Sequence, residues 1–231
     1  MSDVDKLIAR LDSAIRTAHP RFYESLGPAS SAEEIDALET LAGLPLPGAL
    51  RALLAWHCGS WDEDVETSIA SWRLMHADEA AEAVTMMREL LAEDDSWEET
   101  TWWSRNWIPF LDDDGGQYVC VDLDGIGNLT RCDAGAEEFT YSHTPLVGVP
   151  GQVVMFDHEI GPCDVLAPSL KIWLASLADA IGAGALEAQT EVLPHCTIYS
   201  FDGPGVESFT RLASALAPGY PISIRPGGAA K

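Results

Sequence analysis

Asp112, Asp113 and Asp114 stand in a row directly before Gly115 and Gly116. Clustered carboxylates of this kind can share a proton or a metal ion, because like charges push pKa values apart. Consecutive residues in a strand or turn point in different directions, however, so three in a row seldom converge on one atom. Asp and Gly together favour a solvated turn, which is the expectation for this stretch. A second set, Asp122, Asp124, Asn128 and Asp133 with Gly127 at the sixth place, falls near the oxygen-ligand positions of a calcium loop. Ile126 spoils one ligand position, the last ligand is Asp rather than the longer Glu, and strands flank the loop where helices are needed.

Nucleophilic catalysis needs a Ser or Cys beside a base that a third group holds in place. His19, His57, His76, His143, His158 and His195 are available, and His57-Cys58 and His195-Cys196 are the most suggestive pairs. Adjacency in sequence does not define catalytic geometry, and a small apolar Cys beside a half-buried His is the commoner arrangement. The chain lacks a G-x-S-x-G elbow, an H-E-x-x-H helix and a P-loop. His158 and Cys163 have too few nearby companions for a zinc site. The expectation is therefore no catalytic residue, no metal and no cofactor.

Aromatic residues among acids suggest recognition instead. Of the eight tryptophans, Trp56, Trp107 and Trp173 lie within apolar patterns and are expected in the core, whereas Trp61, Trp97, Trp102 and Trp103 have acidic neighbours. An aromatic anchor rimmed by carboxylates suits a basic protein partner, since aromatics supply buried area and charges steer encounter. The candidate contact set is Trp61, Asp62, Glu63, Asp64, Asp94, Asp95, Trp97, Glu98, Glu99, Trp102, Trp103, Asp112, Asp113 and Asp114. Between Trp61 and Glu138 there are about twenty Asp and Glu against Arg73, Arg88, Arg105 and Arg131.

Composition points the same way. The 231 residues are 47% hydrophobic, enough for one substantial core, and 37 Asp and Glu against 13 Lys and Arg give a formal charge of −24. Such a field repels phosphate backbones and anionic lipid, so neither nucleic acid nor membrane is an expected partner. The five cysteines are odd in number, widely spaced and without a C-x-x-C pair, which argues against a disulfide framework or a zinc ribbon and fits reduced thiols in the cytosol. The polar, acidic N-terminus lacks the features of a signal peptide, and no apolar run approaches the ~20 residues that span a bilayer. A cytoplasmic location is the expectation.

The elements that would hold these residues can be read from periodicity. Val4, Leu7, Ile8, Leu11, Ile15 and Ala18 recur at helical spacing, with Ser2 and Asp5 as a capping pair and Pro20 beyond the end. A second helix starts after Ser31, with Glu34 as its capping partner, and is released by Gly43; a third starts at Pro47 and ends at Gly59. Residues 69–75 read as a strand and 77–91 as a helix. From Trp107 onward the pattern becomes strand and turn: 107–111, 118–123 and 151–156, with an inserted hairpin or loop over 128–149. A helix over 168–181 carries Leu170, Trp173, Leu174 and Leu177 on one face, and Gly182-Ala183-Gly184 is a short linker. Beyond it, 196–201 reads as a strand, 206–216 as a short helix and 227–231 as a frayed tail.

The order of Leu44-Pro45-Leu46-Pro47, Trp72-Arg73-Leu74, Trp107-Ile108-Pro109-Phe110, Asp114-Gly115-Gly116, Cys120-Val121-Asp122-Leu123, Gly151-Gln152-Val153-Val154, Asp157-His158 and Pro168-Ser169-Leu170 with Trp173-Leu174 resembles the SUKH superfamily. That superfamily includes fungal cell-wall-assembly regulators and bacterial toxin-immunity proteins, and the likeness runs from about Ser31 to about Ile181. It implies an α+β fold, with a mixed, largely antiparallel sheet packed against several helices, that acts by protein binding without catalysis. A SUKH-like domain over 1–181 and a C-terminal extension over 182–231 are expected. The stretch from Gly125 to Gly148 and the tail after Ile181 depart from the pattern. The resemblance implies an immunity-type protein that binds a cognate toxin domain, and the acidity of the chain makes a basic one the expectation; a regulatory or scaffold module of the same fold is the second reading, and an unrecognised hydrolase or metal-dependent enzyme the third.

Overall fold

A computed structural model describes residues 1–93, 102–125, 129–134, 141–203 and 217–226. Helix α1 (Asp3–Ala18) begins with a capping box: the Asp5 amide donates to the Ser2 hydroxyl at 3.1 Å and the Ser2 amide to the Asp5 carboxylate at 2.6 Å. It buries Leu7, Leu11 and Ile15. Pro20 does more than stop this helix. Its fixed φ suits a first helical position, so it also opens the short α2 (Pro20–Glu24), with His19 as cap. The expected Ser31 and Glu34 box opens α3 (Ala32–Ala42), and Gly43 ends it in the left-handed conformation at φ 74°. Helix α4 (Gly48–Leu54) follows Pro47.

A single carboxylate ties the first helices together. One oxygen of Asp12 accepts from the Tyr23 hydroxyl at 2.9 Å and from the Trp56 indole at 3.0 Å, while the other accepts from Arg16 at 3.0 Å. Burial pushes this carboxyl up, but the Trp56 and Tyr23 hydrogen bonds and the Arg16 charge outweigh it and hold it below its ordinary 3.8.

The expected strand over 69–75 divides in two, β1 (Val65–Ile69) and β2 (Arg73–Leu74), because Ala70 and Ser71 turn the chain with φ of 51° and 70°. Helix α5 (Ala77–Glu93) follows. Strands β3 (Trp107–Asp112), β4 (Gln117–Asp122), β5 (Leu129–Ala134), β6 (Tyr141–Leu146), β7 (Val153–Asp157) and β8 (Gly161–Ala167) come next. Helix α6 (Leu170–Gly182) precedes β9 (Glu187–Val192), β10 (Thr197–Asp202) and β11 (Ile222–Pro226). Eight strands form one antiparallel sheet in the order β2-β3-β4-β7-β8-β11-β5-β6, and β1-β10-β9 form a smaller sheet containing the parallel pair β1 and β10. Of the hairpin or loop expected over 128–149, the hairpin forms, as β5 and β6. It reaches the main sheet through β11, a strand of the C-terminal segment. The expected helix over 206–216 and tail over 227–231 lie outside the described residues.

The main sheet is apolar on both sides. Along β4, Val119 and Val121 face one core with Ile108, Val153, Ala167, Trp173 and Leu174, while Tyr118 and Cys120 face a second with Trp107, Val154, Phe156 and Val165. The first core is covered by α6 and the N-terminal helices. The second is covered by the end of α5 and by Trp102 and Trp103, whose rings meet Phe156 edge-on at 5.4 Å and 4.9 Å. No helix among the described residues is long and apolar enough to cross a membrane.

Two outcomes follow from this packing. Trp103→Ala should cost about 3–5 kcal/mol in urea denaturation, since Trp103 is fully buried under the second face. Asp12→Asn should lose about 1 kcal/mol at neutral pH. A depressed carboxyl contributes stability above its unfolded pKa and loses it as pH falls through the folded value, so the Asp12→Asn and parent stabilities should converge below pH 3.8.

Candidate functional site

Trp61 heads the acidic loop between α4 and β1 and is 59% exposed. The loop is held by its own short side chains: the Ser60 hydroxyl accepts from the Asp62 amide at 3.1 Å, and the Asp62 carboxylate accepts from the Asp64 amide at 3.0 Å. The Ser60 amide donates to the buried Thr67 hydroxyl at 2.9 Å, fixing the loop to β1. Asp62, Glu63 and Asp64 are exposed.

Beneath Trp61 lies His76, buried, with ring centroids 5.2 Å apart in an edge-on contact. His76 stands just before α5, and its amide donates to the Glu79 carboxylate at 2.6 Å. Glu79 also pairs with Arg73 at 2.8 Å, and Arg73 reaches Asp112 at 3.4 Å and Asp114 at 3.6 Å. A continuous chain of contacts thus runs from Trp61 through His76, Glu79 and Arg73 to the Asp112–Asp114 turn. Gly59 makes room for it, since a Cβ there would fall 2.5 Å from Cγ of Arg73 and 3.1 Å from the Leu74 carbonyl oxygen.

The turn itself is built as the residue types require. Asp113 accepts from the amides of Gly115 at 2.8 Å and Gln117 at 2.9 Å, and Asp112 accepts from Asp114 at 2.8 Å. Asp114 takes φ 57°, a left-handed conformation that Asp tolerates better than most side chains. Burial raises the Asp112 carboxyl above its ordinary value, with the Asp114 amide and Arg73 pulling the other way. For Arg73 burial favours the neutral form, but Glu79, Asp114 and Asp112 outweigh it and hold the guanidinium protonated. Three carboxylates around one cation leave the node anionic.

The structure therefore joins Trp61, Asp62, Glu63 and Asp64 to Asp112, Asp113 and Asp114 in one region. Two members of the expected contact set are corrected. Trp102 is 8% exposed and Trp103 0%, so both belong to the core and not to a recognition face. Their acidic neighbours in sequence suggested a surface, but the second face of the sheet needed an aromatic cover. Asp112 and Asp113 are half-buried, and of the three aspartates Asp114 alone is exposed. Asp94, Asp95, Trp97, Glu98 and Glu99 lie outside the described residues. Sequence reading missed Arg73, His76 and Glu79 as the connectors, although Glu79 three places after His76 carries the spacing of a helix-start pair.

The other candidate groups have neighbours of their own. Glu34, His76 and Asp78 offer ligand atoms within 4.8 Å of one another. The carboxylates bracket opposite nitrogens of the ring, Glu34 at 3.6 Å from Nε2 and Asp78 at 3.9 Å from Nδ1, and Glu34 also accepts from the Ser31 amide at 2.6 Å. These carboxylates orient the imidazole under Trp61. Cys58 is buried, its thiol donates to the Gly59 carbonyl at 3.3 Å, and burial pushes it up to about 11, away from the thiolate a nucleophile needs. His57 points its Nδ1 at the Gly27 carbonyl, 2.9 Å away. Asp122 is fully buried, and its carboxylate accepts from the amide of Gly125 at 3.0 Å and the side chain of Gln152 at 2.8 Å, which pins the turn after β4 to the start of β7.

Residues 29–176 match the SMI1 / KNR4 family (SUKH-1). That span opens just before the Ser31 cap and closes within α6, leaving α1, α2 and β9 to β11 outside it. No curated protein matches the chain.

The Arg73 node makes a measurable statement. Arg73→Met should cost about 2 kcal/mol at neutral pH, because it strands half-buried carboxylates without their cation. The deficit should shrink as pH falls and Asp112 takes up a proton; a deficit that grows on acidification would contradict the assignment.

Proposed function

Because the chain belongs to the SMI1 / KNR4 family (SUKH-1), whose members are generally non-enzymatic immunity or regulatory domains, we propose that it is a non-catalytic, protein-binding domain that neutralises a basic toxin domain by covering its working surface. The observation that carries this reading is Trp61, a large aromatic left 59% exposed in a molecule that buries Trp103 and Trp107 almost completely. It has the features of a binding anchor: a rigid ring seated on buried His76, with carboxylates on the loop around it.

The charges serve a different step from the ring. Glu63, Asp64 and Asp114 are exposed, and in a chain of formal charge −24 they add to a field that draws a cationic partner toward this side and repels anionic competitors. Exposed carboxylates add little to stability, so they can be changed without loss of the fold.

Co-purification from the native organism identifies the partner, and surface titration of that partner tests the site. Trp61→Ala is expected to weaken the complex by about 2 kcal/mol or more through faster dissociation. Glu63→Lys combined with Asp64→Lys should slow association by about ten-fold at low salt and much less at high salt. Unchanged kinetics in both variants would move the interface elsewhere on the molecule, and a bound molecule that is not a basic protein would overturn the reading.

A further inference from the structure

The same face of the main sheet is covered unequally along its strands. Val121 and Val153 are fully buried in the core that α6 helps to form, yet Met155, two residues further along β7, is only half-buried. Directly paired across β3, β4 and β7, the side chains of Leu111, Val119 and Met155 form an apolar floor. Above them lies a cavity of about 480 Å³, walled by Trp72 and Trp173 and bordered on the far side by Gln189 and Asp202 of the small sheet. That volume falls within the range of small-ligand sites, which are mostly apolar with a few placed polar groups.

Two further features mark the mouth. Ala70 and Ser71, at φ 51° and 70°, make a two-residue hairpin turn in which both central residues are left-handed without a glycine. Strained backbone of this kind is concentrated at binding sites. The turn is fixed by the Ala70 amide, which donates to the Phe201 carbonyl at 2.8 Å, so the lip is tied to the residue before Asp202. Asp202 accepts from the Ser200 hydroxyl at 2.7 Å and pairs with no Lys or Arg among the described residues.

We propose that this cavity is a binding site for a small amphiphilic cation, with its apolar body on the Leu111, Val119 and Met155 floor between the two indoles and its ammonium group at Asp202. An anionic amphiphile fits the floor equally well but meets the Asp202 carboxylate and the field of the whole chain. The site does not rest on the protein-binding reading, and neither depends on the other.

Calorimetric titration of the full chain with decylamine below its micelle concentration tests it, with decanoate and decanol as comparators. Decylamine should saturate one site and bind at least about ten-fold more tightly than decanoate. Asp202→Asn should bring the amine to the affinity of the alcohol with an unchanged circular dichroism spectrum. Met155→Trp, which places a larger side chain in the cavity, should abolish binding; should that variant fail to fold, the Asp202→Asn comparison decides. No saturable binding of decylamine by the native chain, equal affinity for decanoate, an unaltered amine preference in Asp202→Asn, or full affinity in a folded Met155→Trp would each overturn the proposal.

Discussion

An antiparallel sheet with one face in water alternates polar and apolar residues, and this chain does not allow that arrangement. Tyr118, Val119, Cys120 and Val121 are apolar in both phases, as are Val153, Val154 and Phe156, so each strand delivers side chains that must leave water on both sides. Everything else in the fold answers that requirement. The amphipathic α1, α3 and α4 and the apolar α6 build one cover, and Trp102, Trp103 and the end of α5 build the other. The centre of the sheet is thus an interior element, bordered by loops and helix starts at its rim.

This explains where charge could accumulate. A sheet covered on both faces leaves the acidic residues of this region to its connections: the loop from Trp61 to Glu66, the start of α5 and the turn after β3. Those connections meet because β2 pairs with β3 and α5 follows β2 directly, which brings Arg73, Glu79 and Asp112 within bonding distance. Carboxylates drawn together in this way repel one another, and Arg73 offsets enough of the repulsion for the three segments to pack. The guanidinium that lets the acids approach also holds Glu79, which accepts from the amide of the His76 on which Trp61 packs.

The helix starts were legible because a capping box is a local device, complete within four residues, and Ser2 with Asp5 and Ser31 with Glu34 both form as written. Strands β3, β4 and β7 were legible from apolar alternation and Asp-Gly turns. The strands that escaped notice are those whose reason for existing is non-local. Every residue of β9 is exposed, and β9 is ordered by its pairing with β10; β8 begins with Gly161 and Pro162, and its side chains Val165 and Ala167 divide between the two cores. β11 follows Pro221, ends on Pro226 and is a strand because β5 and β8 flank it. A residue pattern read along the chain carries the first kind of information and lacks the second.

Trp61 and Trp103 show how the same limit applies to the site. Both are tryptophans near clusters of acid, and sequence context treats them alike. What separates them is a count of apolar surface that only the assembled sheet supplies. The second face, with Trp107, Tyr118 and Phe156 exposed on it, could not be closed by Ala83 and Met87 alone, and the rings of Trp102 and Trp103 fill the remainder. Trp61 has no such face to close. It packs on the His76 imidazole, itself oriented between Glu34 and Asp78, and 59% of the residue stays in water at the cost of about 25 cal/mol for each Å² of apolar surface left exposed. Trp103, Trp107 and Phe156 leave water almost completely because the sheet gives each an apolar face to close, and Trp61, on a loop at the rim, has only part of its ring to gain by burial.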